Sequence, residues 1–363
     1  MSEPHVVWLD DPELASAEVL GGKFGSLAEM TRSGFAVPPG FGVTTTAYRR
    51  FMESSRLGDQ AAEARSVDPD ELAAVEAASA RMTAAVEAAP MPSDVEAAVR
   101  AAYARLEQTA GVADAPVAVR SSGVAEDLGG ASFAGQYQTF LWVQGADEVL
   151  RHVRRCWTGL FSAPVLTYRP AGAEALASEP GMAVGVQQMV LPRAAGVMFT
   201  LDPINGDRSK VVIEGAWGLG EAVVGGEVTP DRYRVDKVTF EILGREISSK
   251  DVECRFDPAT RTVRMVPVPQ ERRTVSCLED AHVVELATLA RRIERHRGAP
   301  MDIEWAVDEG GRVHVLQVRP ETVWSRRRKE PVARGAGGGV ERVLAKFMAG
   351  VAKGPTGDQE GSR

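Results

Sequence analysis

The sequence is poor in the features that mark secreted, membrane and nucleic-acid-binding proteins. Its 363 residues include three cysteines and 6% aromatic residues, and the formal net charge is −8. No run approaches the roughly 20 apolar residues of a membrane span, and the acidic first segment does not resemble a signal peptide. Cys156, Cys254 and Cys277 form no CxxC pair. We therefore expect a cytoplasmic protein with reduced thiols and no membrane or nucleic-acid partner.

What is present is typical of a globular protein with more than one core. Apolar residues make up 44% and charged residues 25% of the chain. A chain of 363 residues is too long to form a single ordinary hydrophobic core. Segments with strand and helix patterns are mixed along the chain, which predicts an α+β fold. We expect an N-terminal lobe over residues 1–190, a C-terminal lobe over 191–324, and a basic, then glycine-rich linker and tail over 325–363.

A helical stretch in the N-terminal lobe carries no obvious chemistry. Residues 59–110 are rich in Ala and Glu. Within them Ser93 and Glu96 have the S-x-x-E spacing of a capping box. The apolar face that should pack on the core follows at helical spacing and consists of Val95, Val99, Tyr103 and Leu106.

The segment VAVRSSGVAEDLGGASFAGQ combines a strand, an arginine and a glycine-rich loop. The strand delivers Arg120 to its end, and the loop that follows contains Gly130, Ser132 and Gly135. Small residues allow backbone N–H groups to approach phosphate oxygens, and glycine accepts the positive φ angles of a concave donor array. An ordinary turn is the alternative, but the arginine directly upstream favours phosphate binding.

Lys23 follows Gly21 and Gly22 and opens a predicted helix. A lysine at this position can reach a polyphosphate as a point charge. By its spacing alone it is equally well a surface lysine.

Near the end of the second lobe, two predicted strands form a hairpin with alternating polar residues. Asp302 and Glu304 share one strand face, as do Gln317 and Arg319 on the next strand. Carboxylate and amide oxygens suit Mg²⁺, and an arginine can stabilise charge on a phosphoryl group in transfer. The intervening residues, among them Leu316, are apolar and assign the opposite face to the core. The polar face is equally consistent with exposure to solvent.

Nine sequence segments together resemble a known family. They are GGKFGSLAEM, VPPGFGVTTTAY, VAVRSSGVAEDLGGASFAGQYQTFL, RCWTGLFSAPVLTYR, VGVQQMV, GVMFTLDP, GLGEAVVGGEVTPD, MDIEWAV and VHVLQVRPET. In order and spacing they resemble the N-terminal ATP-binding region of phosphoenolpyruvate synthase, pyruvate phosphate dikinase and rifampin phosphotransferase. The resemblance implies an ATP-grasp-like fold in which two lobes enclose ATP.

The resemblance also implies roles for residues around the nucleotide. Lys23 and Arg120 would contact the phosphates under a mobile loop that includes Gly135. The strand lining the adenine pocket would contain Gln187, Met189 and Val190.

For the C-terminal lobe the resemblance implies a second group of roles. Thr200 and Asp202 would lie beneath the triphosphate, and Glu214 would open a loop on the ribose side. The metal and charge-stabilising residues would be Glu304 and Gln317 as Mg²⁺ ligands, Asp302 as their support, and Arg319 on the transferring group.

Enzymes of this family pass a phosphoryl group through a histidine in a T-x-G-G-x-x-C-H-A type motif on a separate swivelling domain. None of the five histidines of this chain follows a cysteine. We therefore expect either an ATP-binding subunit paired with a histidine-bearing subunit, similar to the arrangement in phenylphosphate synthase, or one domain of a longer enzyme. The start methionine and divergent tail favour the first.

Three functions fit these patterns. The first is an ATP-dependent phosphotransferase component that uses Mg²⁺, transfers a phosphoryl or pyrophosphoryl group to a partner histidine, and yields AMP and phosphate. The second is a nucleotide-binding regulatory module without turnover. The third is a direct ATP-grasp kinase or ligase acting on a small molecule, which would yield ADP. Pyruvate, a phenol and an antibiotic all remain candidates for the final acceptor.

Overall fold

The computed structural model describes residues 3–123, 138–167 and 181–324. The chain divides into two units, Met1–Glu321 and Thr322–Arg363, and the helices and strands of the described residues belong to the first. The helices are α1 (Ala17–Arg32), α2 (Thr45–Ser55), α3 (Gly58–Ser66), α4 (Leu72–Ala88), α5 (Ser93–Ala110), α6 (Ala146–Thr158), α7 (Ala163–Thr167), α8 (Glu221–Val224), α9 (Gln270–Arg273) and α10 (Asp280–Arg297). Within the described ranges, none has the length and hydropathy of a membrane-spanning helix.

The strands form three antiparallel sheets. They are β1 (Val6–Trp8), β2 (Gly40–Val43), β3 (Val117–Gly123), β4 (Thr139–Val143), β5 (Met182–Gln188), β6 (Pro192–Phe199), β7 (Lys210–Trp217), β8 (Asp231–Asp236), β9 (Ile242–Glu246), β10 (Val252–Asp257), β11 (Thr262–Pro267), β12 (Met301–Asp308) and β13 (Val313–Pro320). A five-stranded sheet has the order β1-β2-β5-β3-β4, a six-stranded sheet has the order β13-β12-β6-β7-β8-β9, and β10 pairs with β11. This architecture confirms the α+β fold expected from the sequence. The chain passes from the first sheet to the second through residues 189–191.

Each large sheet has its own hydrophobic core. Helices of the N-terminal half cover the five-stranded sheet, and their core centres on Trp157, whose ring lies 4.9 Å from that of Phe51 and 5.8 Å from that of Tyr48. Helix α10 covers the six-stranded sheet around the fully buried Trp305. The predicted apolar face of α5 is buried as expected.

The predicted capping box at the start of α5 is wrong. The N-cap residue is Pro92, and Ser93 is already the first helical residue, without a side-chain capping bond. Proline in an extended conformation directly before the helix fixes the entry of the chain, which moves Ser93 past the position where its hydroxyl can cap.

Helix α1 connects the two sheets. It packs against β3 and β5 of the five-stranded sheet and also against β13 of the six-stranded sheet. The Ser26 hydroxyl donates to the Val318 carbonyl oxygen over 2.8 Å, and Arg297 of α10 pairs with Glu29. These contacts fix the position of one sheet relative to the other.

Candidate functional site

A cavity of about 410 Å³ is lined by residues of both large sheets. From the N-terminal side come Lys23, Arg120, Leu141 and Gln187, among others. The C-terminal side contributes residues of α8 and of the β12–β13 hairpin.

Lys23 reaches this cavity through a break in α1. Gly21 has φ 72° and ψ 171°, a conformation that side-chain-bearing residues rarely adopt. A Cβ on Gly21 would lie 2.0 Å from the Ser122 carbonyl oxygen, so only glycine allows this approach to the end of β3. The Ser122 hydroxyl accepts the Phe24 backbone N–H over 3.1 Å. The break thus holds Lys23 beside the strand that carries Arg120.

Arg120 is the one residue of β3 that is not buried, and it reaches across to the other sheet. Its Nη2 donates to Glu304 Oε2 over 3.0 Å, and its Nη1 donates to the Leu316 carbonyl oxygen over 3.1 Å. The two charged side chains of this ion pair are only 14% and 18% exposed. The Arg120 Nε is buried and has no hydrogen-bond partner in the described part of the chain.

The β12–β13 hairpin brings Glu304, Gln317 and Arg319 to the cavity and holds Asp302 against Arg319. Its register puts Asp302 opposite Arg319 and Glu304 opposite Gln317. Gln317 Nε2 donates to Glu304 Oε1 over 3.0 Å, and Arg319 Nε donates to Asp302 Oδ2 over 2.8 Å. Burial raises the pKa of Asp302, while the charge and hydrogen bond of Arg319 act in the opposite direction.

A bulge in the hairpin corrects one sequence expectation. The register shifts after Glu304, so that Gln317 and Val315 pair with consecutive residues of β12 and Leu316 has no opposite residue. Leu316 therefore lines the cavity instead of facing only the core, and its carbonyl oxygen is available to accept from Arg120. Bulges commonly redirect backbone and side chains near binding sites.

The residues expected around the base lie where the chain crosses between the sheets. Gln187, Met189 and Val190 all line the cavity. The Gln187 side chain is buried and its Nε2 donates to the Pro38 carbonyl oxygen over 3.4 Å. The Met189 N–H donates to the Pro116 carbonyl oxygen over 2.9 Å, so this amide has a partner within the protein.

Four described residues from the family resemblance are not among the residues that line the cavity: Thr200, Asp202, Glu214 and Asp302. The Thr200 hydroxyl accepts from the Met301 N–H over 2.8 Å, and Asp202 closes a turn through the Ile204 N–H. The Glu214 carboxylate pairs with Arg232 at 2.7 Å. Their contacts hold the six-stranded sheet together. Gly130, Ser132 and Gly135 lie outside the described residues.

Glu221 is a cavity residue that the sequence analysis did not assign. It begins α8, directly after the loop that contains Gly218, whose φ is +76°. Burial raises the pKa of its carboxyl, and the nearby Glu227 acts in the same direction while Arg120 opposes it. The available signal was the segment GLGEAVVGGEVTPD, which carries the family resemblance and contains this acid among its glycines.

In the described ranges, no group of three or more His, Cys, Asp or Glu side chains is arranged to hold a metal ion. Two side chains with oxygen donors lie side by side in the cleft, the Glu304 carboxylate and the Gln317 amide on adjacent strands. This pair suits a cation that takes its remaining ligands from a phosphate and water.

The sequence is similar to those of several known proteins. The chain is 40% identical to a probable phosphoenolpyruvate synthase of Staphylothermus marinus, covering 90% of this chain and 42% of that protein. It is 42% identical to a rifampicin phosphotransferase of a Streptomyces species, covering 89% and 36%. The chain spans between 28% and 46% of the length of such relatives.

Among solved structures, D-alanyl-alanine synthetase A of Vibrio cholerae is 12% identical to this chain over 61% of it and 54% of the synthetase. Its TM-score of 0.23 supports no conclusion about the fold. The model of the family described as pyruvate phosphate dikinase, AMP/ATP-binding domain, matches residues 17–336. Since that match covers most of the chain, including the six-stranded sheet and every described residue that lines the cavity, the chain belongs to the pyruvate phosphate dikinase AMP/ATP-binding domain family.

Proposed function

We propose that this chain is the ATP-binding component of a phosphotransferase. It binds Mg²⁺-ATP in the cleft and passes a phosphoryl or pyrophosphoryl group to a histidine on a separate swivelling domain or subunit, with AMP and phosphate as products. The carrying observation is that Lys23, Arg120 and Arg319 line the same cavity as Glu304 and Gln317. The names of its relatives, phosphoenolpyruvate synthase and rifampicin phosphotransferase, support the same class of reaction.

The polyphosphate would lie between the three cationic side chains. The protein as a whole carries a net charge of −8, so attraction for ATP has to come from a local concentration of positive charge. Arg120 offers a planar donor edge that suits two phosphate oxygens, and Lys23 acts as a point charge. Both come from the side of the five-stranded sheet.

The Glu304–Gln317 pair would hold the divalent cation. Hard oxygen donors on adjacent strands are what Mg²⁺ uses when phosphate oxygens complete its coordination. A cation bound there supplies neutralisation of the phosphate charge. In the structure the Gln317 amide nitrogen faces Glu304, so the side chain must turn its oxygen inward to act as a ligand.

The base and ribose would occupy the inner part of the cavity. Leu141, Leu219 and Val224 give it apolar walls. The Val190 N–H makes no hydrogen bond to any described residue, which leaves it able to donate to the base. The Glu221 carboxylate is the acceptor suited to the ribose hydroxyls, since Glu214 is engaged by Arg232 outside the cavity.

Arg319 would stabilise the group in transfer. Its Nε donates a hydrogen bond to Asp302, and this bond orients the guanidinium on the hairpin. The Arg319 side chain remains 37% exposed at the cleft. The bond between the β phosphorus and the oxygen that bridges it to the α phosphorus breaks, and AMP leaves with that oxygen. The imidazole nitrogen of the partner bonds to the β phosphorus and so takes the pyrophosphoryl group. Water then releases the terminal phosphate. The three buried free cysteines fit a reducing, cytoplasmic setting.

The test uses the chain with Mg²⁺ and ATP labelled at either the β or the γ position. The acceptor is a purified swivelling domain of a phosphoenolpyruvate synthase that carries the Cys-His-Ala segment. We expect β-label on its histidine and AMP in solution. ADP formed with a small molecule and no labelled histidine would favour a direct kinase or ligase. Tight ATP binding without any turnover would favour a regulatory module.

The role of Arg319 is tested by Arg319→Met. We expect the transfer rate to fall by roughly 10²–10³-fold with little change in the Kd for Mg²⁺-ATP, because its contact strengthens as charge develops. The matched control is Arg234→Met, an exposed arginine of β8 that does not line the cavity. A parallel loss of affinity and rate in the Arg319 variant would contradict this role.

A further inference from the structure

We propose that the Arg120–Glu304 ion pair acts as a latch that makes the binding of nucleotide and divalent cation mutually dependent. Each ligand needs one of the two side chains that the pair engages, so each ligand releases the partner side chain for the other. This inference rests on the proposed function, because it concerns the same cleft. It adds an energetic link between two ligands that are otherwise treated separately.

The Glu304 carboxylate is already engaged by two side chains. Both of its oxygens already accept hydrogen bonds, Oε2 from Arg120 and Oε1 from Gln317, each over 3.0 Å. A Mg²⁺ ligand oxygen lies about 2.0–2.1 Å from the ion. A cation on Glu304 would therefore sit against a guanidinium that is bonded to the same carboxylate, and the two positive groups repel each other.

The Arg120 guanidinium is already engaged by Glu304 on the edge that a phosphate would use. An arginine binds phosphate best through two parallel N–H groups on one edge. On the edge formed by Nε and Nη2, Glu304 occupies Nη2, whereas Nε is buried without a partner among the described residues. A phosphate that takes both donors competes with Glu304 for this edge.

The bulge explains how Arg120 can change partners without leaving the site. Its Nη1 donates to the carbonyl oxygen of Leu316, the extra residue of β13, and this bond involves no ligand group. The bond to Leu316 can persist while the opposite edge of the guanidinium exchanges carboxylate for phosphate. The exchange therefore requires a small rotation and no movement of the strands.

The latch predicts an unusual sign for two substitutions. Arg120→Met removes the competitor of the cation, so nucleotide-free Mn²⁺, followed by electron paramagnetic resonance, should bind about tenfold tighter. Glu304→Gln removes the competitor of the phosphate, so ATP in the presence of a chelator, followed by calorimetry, should bind about tenfold tighter. Neither ligand forms a complex with the other in these assays, so the known association of Mg²⁺ with ATP in solution does not contribute.

Matched controls separate the latch from the general field of the cleft. Lys23→Met also removes one positive charge from the cavity. Glu227→Gln removes one negative charge beside the cavity residue Glu221 without changing a residue that lines the cavity. Among the described residues, no hydrogen bond or ion pair joins Glu227 to Arg120 or to Glu304. We expect each control to tighten the same ligand by less than about threefold, since charges across a solvated cleft are partly screened. Thermal unfolding of each variant verifies that it is folded.

The outcomes distinguish the latch from the proposed function. Control and latch variants that shift affinity equally would overturn the latch in favour of simple electrostatics, and so would unchanged or weaker binding in both latch variants. If one latch variant does not fold, the other decides by the same criterion. If the unaltered chain fails to bind Mg²⁺-ATP at all, the proposed function itself is wrong.

Discussion

The five-stranded and six-stranded sheets line the same cavity, but they bring charge to it in different ways. In the five-stranded sheet nearly every residue of β2, β3 and β5 is buried, and Arg120 is a single interruption of β3. In the six-stranded sheet, β12 alternates between buried and partly exposed residues over positions 301–305, and the partly exposed series carries Asp302 and Glu304. In β13 the alternation stops at the bulge, and Gln317 is buried. Arg120 thus departs from the burial pattern of its strand, whereas Asp302 and Glu304 follow the alternating pattern of theirs.

This difference teaches where a binding residue is detectable. A strand with one face toward a cleft alternates, so its polar residues are visible as a group. A strand buried on both faces reads as a continuous apolar run, and one arginine within it is equally well an edge residue. Lys23 reaches the cavity through a glycine break in a helix, which is again a departure from regular structure.

The largest expected effect on stability comes from removing one charge of a buried ion pair next to the six-stranded sheet. Lys250 and Asp231 are fully buried and paired at 2.6 Å, and Asp231 also accepts from the backbone N–H groups of Ser248 and Cys277. Lys250→Met leaves a buried carboxylate without its counter-ion. We expect a loss of about 3–5 kcal/mol in the free energy of unfolding, measured with urea.

The control for that substitution is Lys210→Met on the same sheet. Lys210 pairs with Asp236 at 3.0 Å, but both side chains are partly exposed. A loss of about 0–1 kcal/mol is expected. Equal losses for the two lysines would show that burial does not set the cost, and the six-stranded side would then not depend on its interior charge.

A second substitution tests the glycine break that serves the five-stranded side. Gly21→Ala adds a Cβ 2.0 Å from the Ser122 carbonyl oxygen at a φ of +72°. We expect a loss of about 3 kcal/mol in urea unfolding. In a separate calorimetric titration with ATP, we expect weaker binding because Lys23 is displaced.

Gly34→Ala is the matched control at the other end of α1. Gly34 also has a positive φ, of +75°, but nothing in the described chain lies within 4 Å of the added Cβ. Its cost should be about 1–2 kcal/mol from backbone strain alone. If both variants lose the same stability and Gly21→Ala binds ATP normally, the close approach to Ser122 does not position Lys23.

The smallest expected effect concerns a contact between β4 of the five-stranded sheet and the β10–β11 hairpin. Trp142, whose φ is +60°, stacks on Phe256 with ring centroids 4.6 Å apart and an angle of 14°. A double-mutant cycle with Trp142→Ala and Phe256→Ala should give a coupling of about 0.5–1.5 kcal/mol in thermal or urea unfolding. A coupling near zero would mean that the stack does not link the two regions.

Much of the fold was predictable because its signals are local. The strand that carries Arg120, the hairpin that carries Glu304 and the apolar face of α5 follow from periodicity. The capping box at Ser93 failed because a preceding proline changed the helix start, and Leu316 was misplaced because a bulge interrupts alternation. A single sequence shows neither the register between strands nor the position of a bulge.

For the candidate site, the sequence identified the cationic residues and the acidic hairpin but not their partners. It missed Glu221, since an acid in a glycine-rich loop has no periodic signal. It also placed Thr200, Asp202 and Glu214 near the nucleotide by resemblance, whereas their side chains are engaged within the six-stranded sheet.

The amino-acid sequence by itself determined the mixed fold, the family resemblance and the chemical types available for an ATP site. Those depend on local propensity and on the order of short motifs. Only the tertiary structure decided that Arg120 contacts Glu304, 184 positions away in the chain, and that a bulge at Leu316 anchors it. The reason is physical: the pairing of distant charges depends on how the two sheets pack against the shared helix α1, and no local interaction encodes that distance.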